Sequence, residues 1–286
     1  MKRILTLLPM IAILTAPCFA SRTLTDEIGR KVVVPDHPHR VICLMPSVTD
    51  TVYALGAGDD VVAISDYTKY PAAALKKPSV GDLIKPSIEM ILSLHPDLVI
   101  GYQPKGPMEV TDQLERVGIP IFLVSPHGIV GIMHSVETIG QAMNRTPQAD
   151  VLVHSLQQRV DAVKARTKSL PAPRVFMPIW YDPITTIGKN AFITEVIEAA
   201  GGRSVTDDLS EEWPQISMEV VLERAPDALL LVRDGKTTLQ VLQDRPGWSS
   251  MTAIKERHAY YVDDRINFAS PVAIDALEDL AKQFHP

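Results

Sequence analysis

Short, almost unbroken apolar runs recur along this chain, and segments of helical spacing lie between them. Val41-Ile42-Cys43-Leu44, Val61-Val62-Ala63-Ile64, Leu98-Val99-Ile100, Val175-Phe176-Met177 and Tyr260-Tyr261-Val262 read as strands buried on both faces. Ile88, Ile91 and Leu92, and again Met218, Val221, Leu222 and Ala225, fall on one face of a helix. Strands alternating with helices predict an α/β fold with mainly parallel sheets.

The pattern occurs twice. Residues 87–100, from Ser87-Ile88-Glu89 through Pro96-Asp97, match residues 217–230, from Ser217-Met218-Glu219 through Pro226-Asp227, at an offset of 130. Each copy reads as a Ser N-cap, a short helix, a Pro-Asp stop and a buried strand. A weaker match at an offset of 144 pairs residues 50–61 with 194–205, a helix ending in glycine before a strand. A period this long is no solenoid, so the chain is read as two Rossmann-like lobes built on one plan. The boundaries are 21–145 for the first lobe and 171–286 for the second.

Residues 146–170 join the lobes as a single long helix. Thr146 is a fitting N-cap, and Pro147 suits the first turn. Leu152, Leu156, Val160 and Val163 form one apolar stripe, and Lys164, Arg166 and Lys168 complement the dipole of the last turn. Leu170-Pro171-Ala172-Pro173 stops it. Residues 147–168 would span about 33 Å at about 1.5 Å each, a rigid strut that predicts little opening and closing of the lobes.

The first twenty residues follow a different logic. Lys2 and Arg3 precede an apolar stretch over residues 4–14, and Cys18-Phe19-Ala20 supplies small residues at −3 and −1 of a cleavage site. The stretch is shorter than the roughly 20 residues of a spanning helix. Export to the periplasm with cleavage after Ala20 is the reading; an uncleaved anchor is the alternative, and Pro17 fits a lipidated Cys18 badly. Cleavage removes two positive charges and takes the net charge of the 286-residue chain from −6 to −8, which argues against nucleic acid as partner. Cys43 is then the single thiol, it sits in an apolar run, and it reads as core.

The chain carries no phosphate loop, dinucleotide fingerprint, nucleophile elbow or His-Glu-x-x-His pair, and its eight histidines lack metal-ligand spacing. What it offers instead is aromatic residues just after strands, where open α/β sheets bind ligands. Tyr67 and Tyr70 follow the second strand and Tyr102 the third; Trp180 and Tyr181 open the second lobe, Trp213 precedes the second repeat helix, and Arg265 and Phe268 follow the last strand. Taken singly, each aromatic could be packing; as a set from both lobes they suit a flat, hydrophobic ligand held between them. Glu89 and Glu219 have two readings: favourable placement at a helix N-terminus, or equivalent negative points for a symmetric basic partner.

These residues resemble the helical-backbone, class III periplasmic binding proteins that serve ABC importers of vitamin B12, ferric siderophores and haem. The likeness rests on Thr25-Asp26-Glu27-Ile28-Gly29-Arg30, Pro96-Asp97-Leu98-Val99-Ile100, Trp213-Pro214-Gln215-Ile216-Ser217-Met218-Glu219 and Ala269-Ser270-Pro271, and covers nearly all of residues 24–286. It implies a monomeric, non-catalytic binding protein with no cofactor and no metal held by the chain itself, whose Glu89 and Glu219 engage arginines of the permease dimer. The vitamin B12-binding pattern is nearest, through Tyr67, Trp213 and Ala269-Ser270-Pro271. Leu83 and Tyr102 stand where that pattern has tryptophans, and Phe268 where it has arginine. A corrinoid, a ferric siderophore and haem bound through Tyr67 or Tyr102 all remain as ligands, in that order. An enzyme on a similar two-lobe scaffold is the alternative function, but the sequence nominates no nucleophile or acid–base pair for it.

Overall fold

Both halves of the chain build a parallel sheet in the same strand order. The computed structural model describes residues 20–81, 85–103, 109–233 and 238–286; the export segment through Phe19, with Cys18, and Leu83 lie outside them. An antiparallel hairpin, β1 (Ser21–Thr25) and β2 (Lys31–Pro35), opens the fold. Then come β3 (Val41–Cys43), α1 (Pro46–Ala54), β4 (Val61–Ala63), α2 (Ile88–Ser93), β5 (Leu98–Tyr102), α3 (Glu109–Arg116), β6 (Ile121–Val124) and α4 (Gly128–Ala142). After α5 (Thr146–Thr167), the second half runs β7 (Arg174–Phe176), β8 (Pro178–Tyr181), β9 (Ile184–Thr186), α6 (Phe192–Ala199), β10 (Arg203–Ser204), α7 (Met218–Arg224) and β11 (Ala228–Val232). It ends with α8 (Leu239–Gln243), α9 (Thr252–Lys255), β12 (Ala259–Val262) and α10 (Val272–Phe284). The sheets are β4-β3-β5-β6 and β10-β7-β11-β12. Numbered in chain order within its own four-stranded sheet, each runs second, first, third, fourth.

The repeat holds down to single bonds. The Ser87 and Ser217 hydroxyls accept the Met90 and Val220 backbone N–H groups at 3.2 and 3.4 Å, capping α2 and α7. Both helices end in a left-handed residue, His95 at φ 46° and Ala225 at φ 44°. The Pro-Asp stop has a function in each copy: Asp97 accepts the Arg40 N–H and Asp227 the Arg174 N–H, both at 3.0 Å. The two arginine side chains then donate back to the helix ends, Arg40 to the Leu94 carbonyl and Arg174 to the Arg224 carbonyl. Carbonyls in a last turn have no partner within the helix, so an arginine from the neighbouring strand satisfies them.

Where the lobes meet, the core is continuous. One cluster of buried apolar side chains runs from Val41, Val61 and Ile100 through Val136, Ile139, Leu156 and Val160 to Ile193, Leu230 and Leu277. Helix α5 is part of that layer rather than a free strut: it packs on α4 and on α10, and Arg159 pairs with Glu278 at 2.9 Å and Asp275 at 2.6 Å. Its first residue is Thr146 itself, with Arg145 at the cap position and no side-chain cap, one residue earlier than the pattern predicts. Helix α4 is capped from the other lobe, because Glu195 of α6 accepts the Ile129 N–H at 2.8 Å. Gly128, at φ +67°, lies where a Cβ would strike that carboxylate. Cys43 is fully buried, and burial pushes its thiol up to about 12, so it stays protonated and inert.

Candidate functional site: a cleft between the lobes

The carboxyl ends of both sheets face one cleft, and it holds two adjoining cavities. One, of about 400 Å³, is lined by Met45, Ser47, Tyr102 and Pro126 of the first lobe and by Phe192, Glu212, Trp213, Asn267, Phe268 and Ala269 of the second. The other, of about 430 Å³, is lined by Lys69 of the first lobe and by Pro178, Ile179, Trp180, Tyr181, Trp213, Val232, Asp264 and Asn267 of the second. Trp213 and Asn267 border both. Larger hollows elsewhere, such as that beside Lys164, Lys168 and Glu198, lie away from the strand ends.

Trp213 owes its position to backbone bonding along β9. Thr186 N–H donates to the Pro214 carbonyl, Ile216 N–H to Ile184, and Gly188 N–H to Glu212, each at 3.0 Å. A Cβ on Gly188 would collide with the Glu211 carbonyl, so only glycine lets this segment lie so close.

The aromatic residues singled out in the sequence part company here. Tyr102, Trp213 and Phe268 line the first cavity, and Trp180, Tyr181 and Trp213 the second. Trp180 and Tyr181 are not in a loop: they form β8 of an antiparallel hairpin with β9. Tyr181 also serves the lobe's own packing, edge-on to Trp248 at 5.8 Å and under the Arg245 guanidinium at 4.8 Å. Tyr67 is 58% exposed and lines neither cavity, although Lys69 of the same loop does. Arg265 is likewise no wall residue, being held by Asp263 at 2.8 Å and stacked over Tyr70 at 4.9 Å. Glu212, which the sequence reading passed over, lines the first cavity beside Tyr102. Only its place next to Trp213 could have drawn attention to it.

Contacts across the cleft involve charge. Lys69 pairs with Asp264 at 2.7 Å, and Arg265 covers Tyr70. Burial, and secondarily the Glu212 carboxylate, push the Tyr102 phenol above its ordinary value. Deeper, Asp50 of α1 accepts the Ser270 hydroxyl at 3.3 Å. Burial raises Asp50 from 3.8 to about 6, despite the opposing effects of Ser270 and Arg265. Folded protein therefore binds this proton more tightly than unfolded chain, and stability is lost as pH rises from 3.8 through about 6. At about 1.36 kcal/mol per unit, the cost at neutral pH is on the order of 2–3 kcal/mol. Asp50→Asn should accordingly be more stable than wild type to urea near pH 7.5 by about that amount. The two should converge at pH values below the ordinary carboxylate range, and parallel stability curves would refute the charge cost.

Glu89 and Glu219 stand in the first turns of α2 and α7. Each helix leads into the next parallel strand of its sheet, and a parallel crossover leaves a sheet at its carboxyl edge and re-enters at its amino edge, which puts the helix N-terminus toward the cleft side. Both side chains are exposed. The Ser217 hydroxyl, then the adjacent backbone N–H, holds the Glu219 carboxyl below its usual value, so it stays ionised.

Comparison with known proteins agrees with the two-lobe fold. Residues 41–266 match the periplasmic binding protein family. An ABC transporter substrate-binding lipoprotein of Bacillus subtilis (strain 168) is 29% identical over 272 residues, covering 92% of this chain and 85% of that protein. A vitamin B12-binding protein of Yersinia pestis (strain Pestoides F) is 31% identical over 244 residues, 85% of each chain. Among solved structures, a periplasmic haem-binding protein of Roseiflexus sp. RS-1 in apo form superposes with a TM-score of 0.79 at 26% identity, over 86% of this chain and 98% of that one. With two parallel α/β lobes in the same strand order, aromatic walls facing across a cleft and a family match over most of its length, the chain belongs to the periplasmic binding proteins of ABC importers.

Proposed function

We propose that the protein carries a bulky metal chelate, a corrinoid such as vitamin B12 or else a ferric siderophore, across the periplasm to its permease. The observation that carries this reading is Trp213 standing between two adjoining cavities, with aromatic residues on both sides of the cleft. Such walls suit a broad apolar face, because each aromatic ring can bury about 150–250 Å². The relative that binds vitamin B12 supports the corrinoid as first choice. Haem held by the Tyr102 phenolate is less favoured, since burial and Glu212 keep that phenol protonated.

The chain acts outside the cytoplasm, and its partner is the membrane permease of the importer. Glu89 and Glu219, one on each lobe at the cleft edge, are the proposed docking points for two permease arginines. Export removes residues 1–20 and leaves Ser21 as the first residue, the start of β1. Protein purified from the periplasm of its native host should show the visible absorption of a corrinoid or a ferric chelate, and the mass of a chain beginning at Ser21. A haem Soret band would replace the ligand, and a mass retaining Cys18 would overturn the cleavage site.

A further inference from the structure

Charge in the cleft is unevenly balanced. Among the described residues, three that line the two cavities carry charge: Lys69, Asp264 and Glu212. Lys69 and Asp264 neutralise each other at 2.7 Å. Arg265, beside Asp264 in the chain, is engaged by Asp263 and by the Tyr70 ring. Glu212 has no ion-pair partner among the described residues. Its exposed side chain flanks Tyr102 and Trp213 at the mouth of the first cavity. Its backbone carbonyl is tied to the Gly188 N–H at 3.0 Å, which keeps the carboxylate from drifting away with its loop.

A lone carboxylate beside apolar walls acts as a charge filter. A bound chelate displaces water from the cavity, so the remaining charges see one another through a less polarisable medium. An anionic group on the ligand meets like charge there, with no described lysine or arginine of the walls left to receive it. A positive group, or an amide N–H, gains a strong acceptor.

We propose that Glu212 sets the charge class of the ligand, admitting chelates that are neutral or cationic at their rim and turning away those with peripheral carboxylates or phenolates. This rests on the reading of the cleft as a chelate site. It narrows that reading to corrinoids with amide side chains and to hydroxamate-type ferric chelates, and it sets haem and catecholate chelates aside.

The test compares wild type with Glu212→Gln and Glu212→Lys by titration calorimetry against three probes of different rim charge. Ferrioxamine B carries a free ammonium, cyanocobalamin is neutral and amide-rich, and haemin bears two propionates. Wild type should bind haemin most weakly of the three. Glu212→Gln should weaken ferrioxamine B about tenfold, change cyanocobalamin by less than about threefold and strengthen haemin about tenfold; Glu212→Lys should exaggerate the two opposite shifts. Added salt should weaken ferrioxamine B binding to wild type more than to Glu212→Gln. Equal shifts for all three probes, or haemin as the tightest ligand of wild type, would overturn the role of Glu212 while leaving the chelate site intact. If none of the probes binds wild type, the chelate reading itself fails and this inference falls with it.

Discussion

Uptake should fall to background when Glu89 and Glu219 are both replaced by lysine, while ligand binding to the isolated protein stays unchanged. Both carboxylates stand exposed on the edge that carries the cleft, one per lobe, at positions related by the internal repeat. Neither is needed to cap its helix, because Ser87 and Ser217 already accept the Met90 and Val220 N–H groups. Thermal stability should therefore move by no more than about 3 °C. Two reversed charges facing permease arginines should weaken docking at least about a hundredfold, since each pair becomes a repulsion. Transport into cells or permease-containing vesicles reads the first quantity, calorimetry and melting the others. Normal uptake by the double variant would reduce both glutamates to residues favoured by a helix dipole.

Trp213→Ala should weaken ligand binding about thirtyfold, the usual consequence of truncating a central aromatic anchor. The ring is 40% exposed and borders both cavities, so its loss removes contact surface on each side without hollowing a core. Its backbone remains held by the bonds of Pro214 and Ile216 to β9, and circular dichroism should not change. Trp180, at 62% exposed on the hairpin, touches the second cavity alone. Trp180→Ala should therefore cost less than Trp213→Ala when the two are titrated side by side. Equal or undiminished affinity in Trp213→Ala would mean that the ligand sits elsewhere.

The periodicity of the chain was enough to determine the fold plan. Buried strands are legible because both of their faces must be apolar, and Val41–Cys43, Leu98–Tyr102 and Ala228–Val232 stand out for that reason. The repeat around Ser87 and Ser217 is legible because a cap, a stop and a strand follow in a fixed local order, each dictated by residues close in sequence. Trp213 could be marked as a candidate, since a large aromatic next to a helix cap has few local reasons to be there.

Everything that depends on which distant segments meet was decided by tertiary structure. The sequence reading put Arg265 and Tyr67 among the ligand contacts, yet Arg265 is engaged by Asp263 and Tyr70, and Tyr67 stands outside both cavities. Trp180 and Tyr181 read as a connection following the strand Val175-Phe176-Met177, and pairing with β9 makes a strand of them. Lys69 and Asp264 are 195 positions apart, and nothing local to either says that it will be neutralised. Asp50 lies in a helix whose sequence gives no sign that the second lobe will bury it against Ser270. Glu212 has the opposite history: an ordinary surface acid by sequence, it becomes the unbalanced charge among the described residues of the cleft only because the lobes bring Tyr102 to its side. Local order follows from neighbours along the chain, but charge balance is a property of the enclosed space, which exists only once both lobes have closed around it.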